Sequence, residues 1–321
     1  MDLEACLRAA VAAPSIHNSQ PWRFVLRPGG VDLYADRTRK LGVVDPRGRE
    51  LFISLGAALL NLRLAILSHG RMPVTRLLPD PGEPDLVAAV RFGPPVDADP
   101  AVRALADAIP HRRTSRRPFD RVLVPAEVLA ELSAAARLEG ATLAVADDLG
   151  RDQLLGLARS AERMLRRHPG YLAELTEWTS ADPGRADGVP QAAFGPWDAL
   201  ETLPLRDFGL TRRTEPRRGA HFEAHPTLVV LSTAGDTPQQ WLRAGQALER
   251  VLLTATVQGL ATTPLSQPLE LPRLRLLMTD RDVSAYPQVV LRIGYGPAGV
   301  PSPRRPLDDV VDRTGLPAAT E

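Results

Sequence analysis

Three short stretches carry the residue types that chemistry needs. The first is Pro14-Ser15-Ile16-His17-Asn18-Ser19-Gln20-Pro21-Trp22, between an amphipathic helix and a strand. Proline, serine and asparagine at a helix exit make a structured turn with outward-facing N–H groups and amides. Such a turn can hydrogen-bond the edge of a planar heterocycle; the plain alternative is a capped helix-to-strand connection. The second is Arg112-Arg113-Thr114-Ser115-Arg116-Arg117-Pro118-Phe119. Alternating guanidinium and hydroxyl groups suit a phosphate, because arginine gives bidentate, charge-assisted bonds; the plain alternative is a solvated basic run. The third, Pro303-Arg304-Arg305-Pro306-Leu307, is by itself only a basic tail.

The remaining composition removes classes of function. Lys+Arg is 39 against 38 Asp+Glu, a net charge of +1 over 321 residues. That balance lacks the positive excess of a general nucleic-acid binder. Cys6 is the only cysteine, so an internal disulfide and a thiolate metal cluster are excluded. Lys40 is the only lysine and no phosphate loop precedes it, so a Walker lysine is missing. No G-x-S-x-G elbow and no H-E-x-x-H occurs, and a Rossmann dinucleotide fold is not expected. No run of eighteen apolar residues is present, so no membrane partner is expected. Met1-Asp2-Leu3-Glu4 has no basic stretch before an apolar one, which makes a cytoplasmic location the expectation.

Stepping along the chain, periodicity predicts an α+β fold. Helices are expected over 3–12, 52–68, 126–137, 152–167 and 240–258, and strands over 22–27, 31–35, 86–92, 141–146, 227–232 and 288–294. The two longest helices share landmarks. Phe52, Gly56 and Gly70 are spaced like Trp241, Gly245 and Gly259: four residues, then fourteen. Each helix is followed by a β-rich run ending in glycine, at Gly93 and Gly294. Fixed spacing of this kind predicts an internal duplication. Segment 93–110 reads as a linker. Segment 180–226 has aromatics but little periodicity, and a loop that long inside a compact domain reads as a packed lid.

Together these motifs resemble the nitroreductase superfamily of FMN-dependent oxidoreductases. The P-S-x-x-N-x-Q-P-W turn is complete, R-x-S-x-R-x-F matches at Arg113, Ser115, Arg117 and Phe119, and R-R-P-L matches at Arg304–Leu307. In a typical member the phosphate motif precedes the turn within one repeat, and two chains exchange these parts. Here the turn lies in the first repeat and the phosphate motif opens the second. The order is similar to that of the Acg-type branch, in which a lid covers the flavin. It implies a fused dimer in one chain: 1–108 as an incomplete repeat supplying the turn, 109–321 as a repeat supplying the phosphate site, and 180–226 as the lid. Such a chain works as a monomer or pairs again as a homodimer.

The resemblance also implies roles. Arg113, Ser115 and Arg305 would hold the FMN phosphate, with Arg304 beside them. Arg117 would lie near the flavin N1/O2 edge, where a cation favours the reduced form. Pro14, Ser15, Ile16 and Asn18 would contact the ring system. Pro264, Leu265, Ser266 and Gln267 stand where the family places a backbone N–H at flavin N5, with Ser266-Gln267 in place of its usual Glu-Gly pair. No side chain is needed as a catalytic acid or base. The expected activity passes electrons from NAD(P)H or a substrate to a small acceptor such as a nitro compound or quinone. The alternatives are a lid-covered, flavin-sequestering protein and a biosynthetic or flavin-consuming oxidase. Outside these motifs, His221, Glu223 and His225 have a spacing open to a metal ion, and His17 is open to substrate. Trp178, Phe194 and Trp197 would cap the flavin or anchor the lid, Cys6 reads as core, and Lys40 as exposed.

Overall fold

The computed structural model of the chain describes residues 1–314 apart from 181, 183, 212–216 and 280–284. Two helices of twenty residues, α2 (Arg49–Ser68) and α7 (Pro238–Val257), cross at its centre. Glycine makes the crossing possible. A Cβ at Gly56 would lie 2.2 Å from the Leu242 carbonyl oxygen, and one at Gly245 would lie 2.0 Å from the Ile53 carbonyl oxygen. The contact is reciprocal, with an offset of three residues in each helix. The aromatic landmarks meet too: the Phe52 and Trp241 rings lie edge-to-face at 6.1 Å. Gly70 and Gly259 both adopt positive φ just past the helix ends, the ordinary glycine stop. α2 is long and apolar enough to cross a membrane by composition, and its apolar window is 83% buried within the protein.

Each helix packs against a sheet. The first sheet has the order β9-β1-β2-β4-β3, built from β1 (Trp22–Arg27), β2 (Gly30–Ala35), β3 (Arg71–Leu77), β4 (Leu86–Pro95) and β9 (Val311–Asp312). All its pairings are antiparallel except β1 with β9. The second sheet is antiparallel, in the order β7-β8-β6-β5: β5 (Thr142–Val145), β6 (Thr227–Thr233), β7 (Ala261–Pro264) and β8 (Tyr286–Gly294). The last strand therefore joins the sheet that begins the chain, which carries Arg304 and Arg305 back to the Pro14 turn.

The remaining helices are α1 (Leu3–Val11), α3 (Pro100–Ala108), α4 (Ala126–Leu138), α5 (Asp148–Arg166), α6 (Tyr171–Glu177), α8 (Gln267–Glu270) and α9 (Pro272–Leu277). The expected linker thus contains a helix. Asp99 accepts from the Ala101 N–H and Pro100 sits in the first turn, a standard helix start. Ala108 and Ile109 then pack against Leu60, Leu64 and Leu253 of the crossing pair.

Candidate functional site

A cavity of about 320 Å³ opens beside the helix crossing, within the size range of small-molecule sites. Distant parts of the chain meet there: the Pro14–Asn18 turn, one face each of α2 and α7, the 110–116 stretch, the start of α8 and Arg304. Residues Val189, Leu205, Arg206 and Phe208 complete the wall.

The turn is tightly built. His17, Asn18 and Gln20 all have positive φ, at 46°, 56° and 51°. Their strain is held by specific bonds. The Gln20 N–H donates to Ser15 Oγ (2.9 Å) and the Ile16 N–H donates to Ser54 Oγ (3.1 Å). Pro14, Ser15, Ile16 and Asn18 all line the cavity, but the Asn18 side chain is engaged by protein. Its Nδ2 donates to the carbonyls of Gly188 (2.9 Å) and Pro303 (3.1 Å), and its Oδ1 accepts from Arg304 Nη1 (3.0 Å). Gln20 does similar work: Nε2 donates to the Ala186 carbonyl (2.8 Å), and Oε1 accepts from the Arg305 N–H (2.9 Å). The two amides tie the 180–226 segment and the C-terminal arginines to one turn.

The basic stretch faces the cavity in a different phase from the one expected. Residues 114–115 run alongside β7: Thr114 bridges Thr262, and the Ser115 N–H donates to the Thr262 carbonyl (2.9 Å). Extended backbone alternates its side chains between two sides. Arg112, Thr114 and Arg116 therefore line the cavity. Ser115 does not; its Oγ donates to the Pro297 carbonyl (2.7 Å). Arg117 does not either and is exposed. Its carbonyl accepts both Nη atoms of Arg292 (3.1 Å each). Arg292 is fully buried on β8, paired with Glu223 and set over the Phe119 ring at 3.5 Å, and it fixes which way this backbone turns. Arg113 reaches the cavity edge, with Nη1 donating to the Arg112 carbonyl (2.7 Å).

The same alternation corrects two other expectations. Pro264 and Ser266 line the cavity. Leu265 turns into a core cluster with Leu154, Phe222 and Leu228, and Gln267 Nε2 donates to the Pro204 carbonyl (3.1 Å). Arg304 lines the cavity, whereas Arg305 points elsewhere, with Nη2 donating to the Asp309 carbonyl (2.9 Å). Arg304 is largely committed as well. Its Nη2 donates to the Ala12 and Ala13 carbonyls at the exit of α1 (2.9 and 3.0 Å), where a cation suits the helix dipole.

Charge concentrates at one end. Arg112, Arg113 and Arg304 converge there, and behind them, off the cavity lining, lies the carboxylate of Glu249 on α7, whose Oε1 is 3.6 Å from Arg112 Nε. Glu249 has no exposed surface, and its neighbours are Arg112 at that long distance and the Asn61 amide. Burial raises its carboxyl to about 7, against the pull of Arg112 and Arg304. Burial, with Arg112 and Arg113 nearby, lowers Arg304 to about 9. The buried Nε atoms of Arg112 and Arg304 have no hydrogen-bond partner among the described residues. Three guanidiniums facing one carboxylate leave positive charge uncompensated, as an anion cradle requires. Further in, burial beside Arg206 lowers Arg116 to about 10; its Nη1 donates to the Ala193 carbonyl (2.9 Å) and its guanidinium lies 4.6 Å from the Phe208 ring centroid.

Several candidates are accounted for otherwise. Glu223 pairs with Arg292 and accepts the Phe119 N–H (3.0 Å), so it serves the 112–119 stretch. Trp178 and Phe194 are buried anchors, Trp197 is exposed, and Phe208, unmarked in the sequence, is the aromatic residue on the cavity wall. Cys6 is core, and burial raises its thiol to about 11. Lys40 is exposed. Gly294–Gly299 does spell G-x-G-x-x-G behind a strand, but no helix follows it. A Cβ at Gly299 would lie 2.1 Å from the Thr114 carbonyl oxygen, so this run serves to seat the basic stretch.

No family model matches the chain. It is 36% identical over 312 residues to the Mycobacterium tuberculosis protein named "Putative NAD(P)H nitroreductase Rv3131", covering 95% of this chain and 90% of the relative. It is 32% identical over 319 residues to that organism's "Putative NAD(P)H nitroreductase acg", covering 96% and 94%. Among solved structures, a nitroreductase with bound FMN from Bacteroides fragilis matches 68% of this chain and 98% of its own, at 16% identity and a TM-score of 0.39.

Proposed function

Because this chain belongs to the nitroreductase family, with the Acg-named protein among its relatives, we propose that it is an FMN-dependent oxidoreductase with one flavin site per chain. The observation that carries the reading is the anion cradle at one end of an otherwise mixed cavity. Arg112 and Arg113 would hold the phosphate, with Glu249 and Arg304 fixing the cradle behind them. Pro14, Ser15 and Ile16 would flank the ring from one side, and Pro264 and Ser266 from the other. Arg116 takes the role expected of Arg117: a cation in the cavity that favours an electron-rich ring. The flavin would supply the hydride and electron chemistry; the protein supplies position and field.

The reading includes a fused pair of repeats, roughly 1–108 and 109–321, acting on a small molecule with NAD(P)H or another donor. The reciprocal Gly56–Gly245 crossing supports the duplication. A second reading, a flavin held under a lid with little turnover, is favoured by how residues 186–208 are fastened. Asn18 and Gln20 hold Gly188 and Ala186, Arg39 pairs with Asp187, and the buried Arg206 pairs with Glu270. The visible spectrum of the purified protein tests both, taken anaerobically before and after NADPH and then NADH. A flavin band that bleaches supports turnover. A band that persists until dithionite is added favours the lid-covered reading. A colourless protein that also refuses added FMN refutes both.

A further inference from the structure

His17 is a polar group of this cavity that the flavin reading leaves without a task. It lines the cavity and is 7% exposed, and neither ring nitrogen has a hydrogen-bond partner among the described residues. Its backbone is held at positive φ by the bonds around it, so it is placed there against both strain and an unmet polar demand. A core histidine would normally find a carbonyl. This one stands edge-to-face to the Phe208 ring at 5.1 Å instead.

Its surroundings define what it can bind. Burial, with Arg206 and Arg116 close by, lowers its basicity well below the usual histidine range. Burial thus favours the neutral ring, which has one N–H to give and one lone pair. Arg206 is compensated by Glu270. Arg116 has no carboxylate within ion-pair distance among the described residues. Glu50, also on the wall, pairs with Arg49, so the unpaired Arg116 leaves this end of the cavity with excess positive charge next to an unused N–H donor.

We infer that His17 marks the electron-acceptor subsite, where its N–H binds an oxygen of a neutral or anionic acceptor, such as a nitro group or quinone carbonyl, and where cationic acceptors are rejected. This inference rests on the flavin reading. His17 is a specificity residue here; the transfer of electrons needs nothing from it beyond position.

The test is a titration of the FMN-loaded protein, following the flavin absorbance, with 4-nitrobenzoate, nitrobenzene and (4-nitrobenzyl)trimethylammonium. The expected result is that the anion and the neutral compound perturb the band, while the cation binds at least ~10-fold more weakly. His17→Phe keeps the ring but loses the donor, and should weaken the anion and the neutral compound by about tenfold with FMN content unchanged. His17→Asn keeps an N–H and tolerates positive φ, and should recover most of that loss. Equal binding of all three compounds, no perturbation by any, an unaffected His17→Phe protein, or loss of FMN from either variant overturns the proposal. A wild-type protein with no flavin band and no affinity for FMN refutes the flavin reading itself, which is a separate outcome.

Discussion

The two faces of the α2–α7 crossing are built on the same spacing and end in opposite chemistry. Seven residues past its crossing glycine, α7 presents Leu252 to the cavity; seven past its own, α2 presents Arg63. Arg63 Nη1 donates to Glu139 Oε2 (2.7 Å) and Gln246 Oε1 (2.6 Å), and Arg250 Nη2 donates to Glu139 Oε1 (2.6 Å). One residue past the glycine, Ala57 leaves room in the cavity, whereas Gln246 fills the other face. Four residues past, Glu249 faces the arginines, whereas Leu60 packs with Ile109 and Leu253. The same backbone crossing is filled in two different ways. One face keeps small and apolar residues and gains unpaired arginines. The other spends its arginines on a carboxylate and closes.

Breaking the crossing should remove both faces together. Gly245→Ala sets a methyl 2.0 Å from the Ile53 carbonyl, where only backbone can yield. The expected cost is about 3 kcal/mol or outright failure to fold, read by urea denaturation. The faces should then separate under charge removal. Arg112→Ala is expected to weaken FMN binding by roughly 1.5–3 kcal/mol. Arg63→Ala should leave FMN binding unchanged and lower stability instead. Equal loss of FMN affinity in the two variants would end the distinction.

Glu249 sharpens the comparison through pH. Its folded carboxyl keeps a proton up to about 7, while the unfolded group loses it near 4.5. Between those values the folded state binds more protons, so stability falls as pH rises and levels off above neutrality. In flavin-stripped protein, Glu249→Gln should shrink the fall between pH 5 and 7.5 by on the order of 2 kcal/mol, leaving the share of Asp45, whose buried carboxyl is also raised to about 7. The smallest effect concerns phase. Arg117→Ala should change FMN affinity by less than ~0.5 kcal/mol, and Arg116→Ala by clearly more. The reverse order would restore the original motif phase.

Much of this was legible in the residues. The apolar runs mark the two long helices and the main strands, but the glycine spacing reads only as a repeat; that Gly56 and Gly245 meet at a crossing is not written in it. Pro14–Asn18 reads as a turn and lies on the cavity. What the sequence does not carry is phase. A run with arginine at four of its first six positions cannot say which of them face inward, because an extended stretch offers either alternation. Arg292, 175 residues from Arg117, decides it by gripping that carbonyl. Phe208 and Glu249 are silent for the same reason: an isolated phenylalanine in an irregular segment and one glutamate on a helix gain meaning only from distant partners.

The central claim is one open face and one closed face per chain. It is tested most directly by counting flavin: saturating the protein with FMN, removing the excess, and comparing flavin absorbance with protein concentration. The account predicts one FMN per chain, unchanged in Arg63→Ala and lost first in Arg112→Ala. Two FMN per chain, or none, would contradict it.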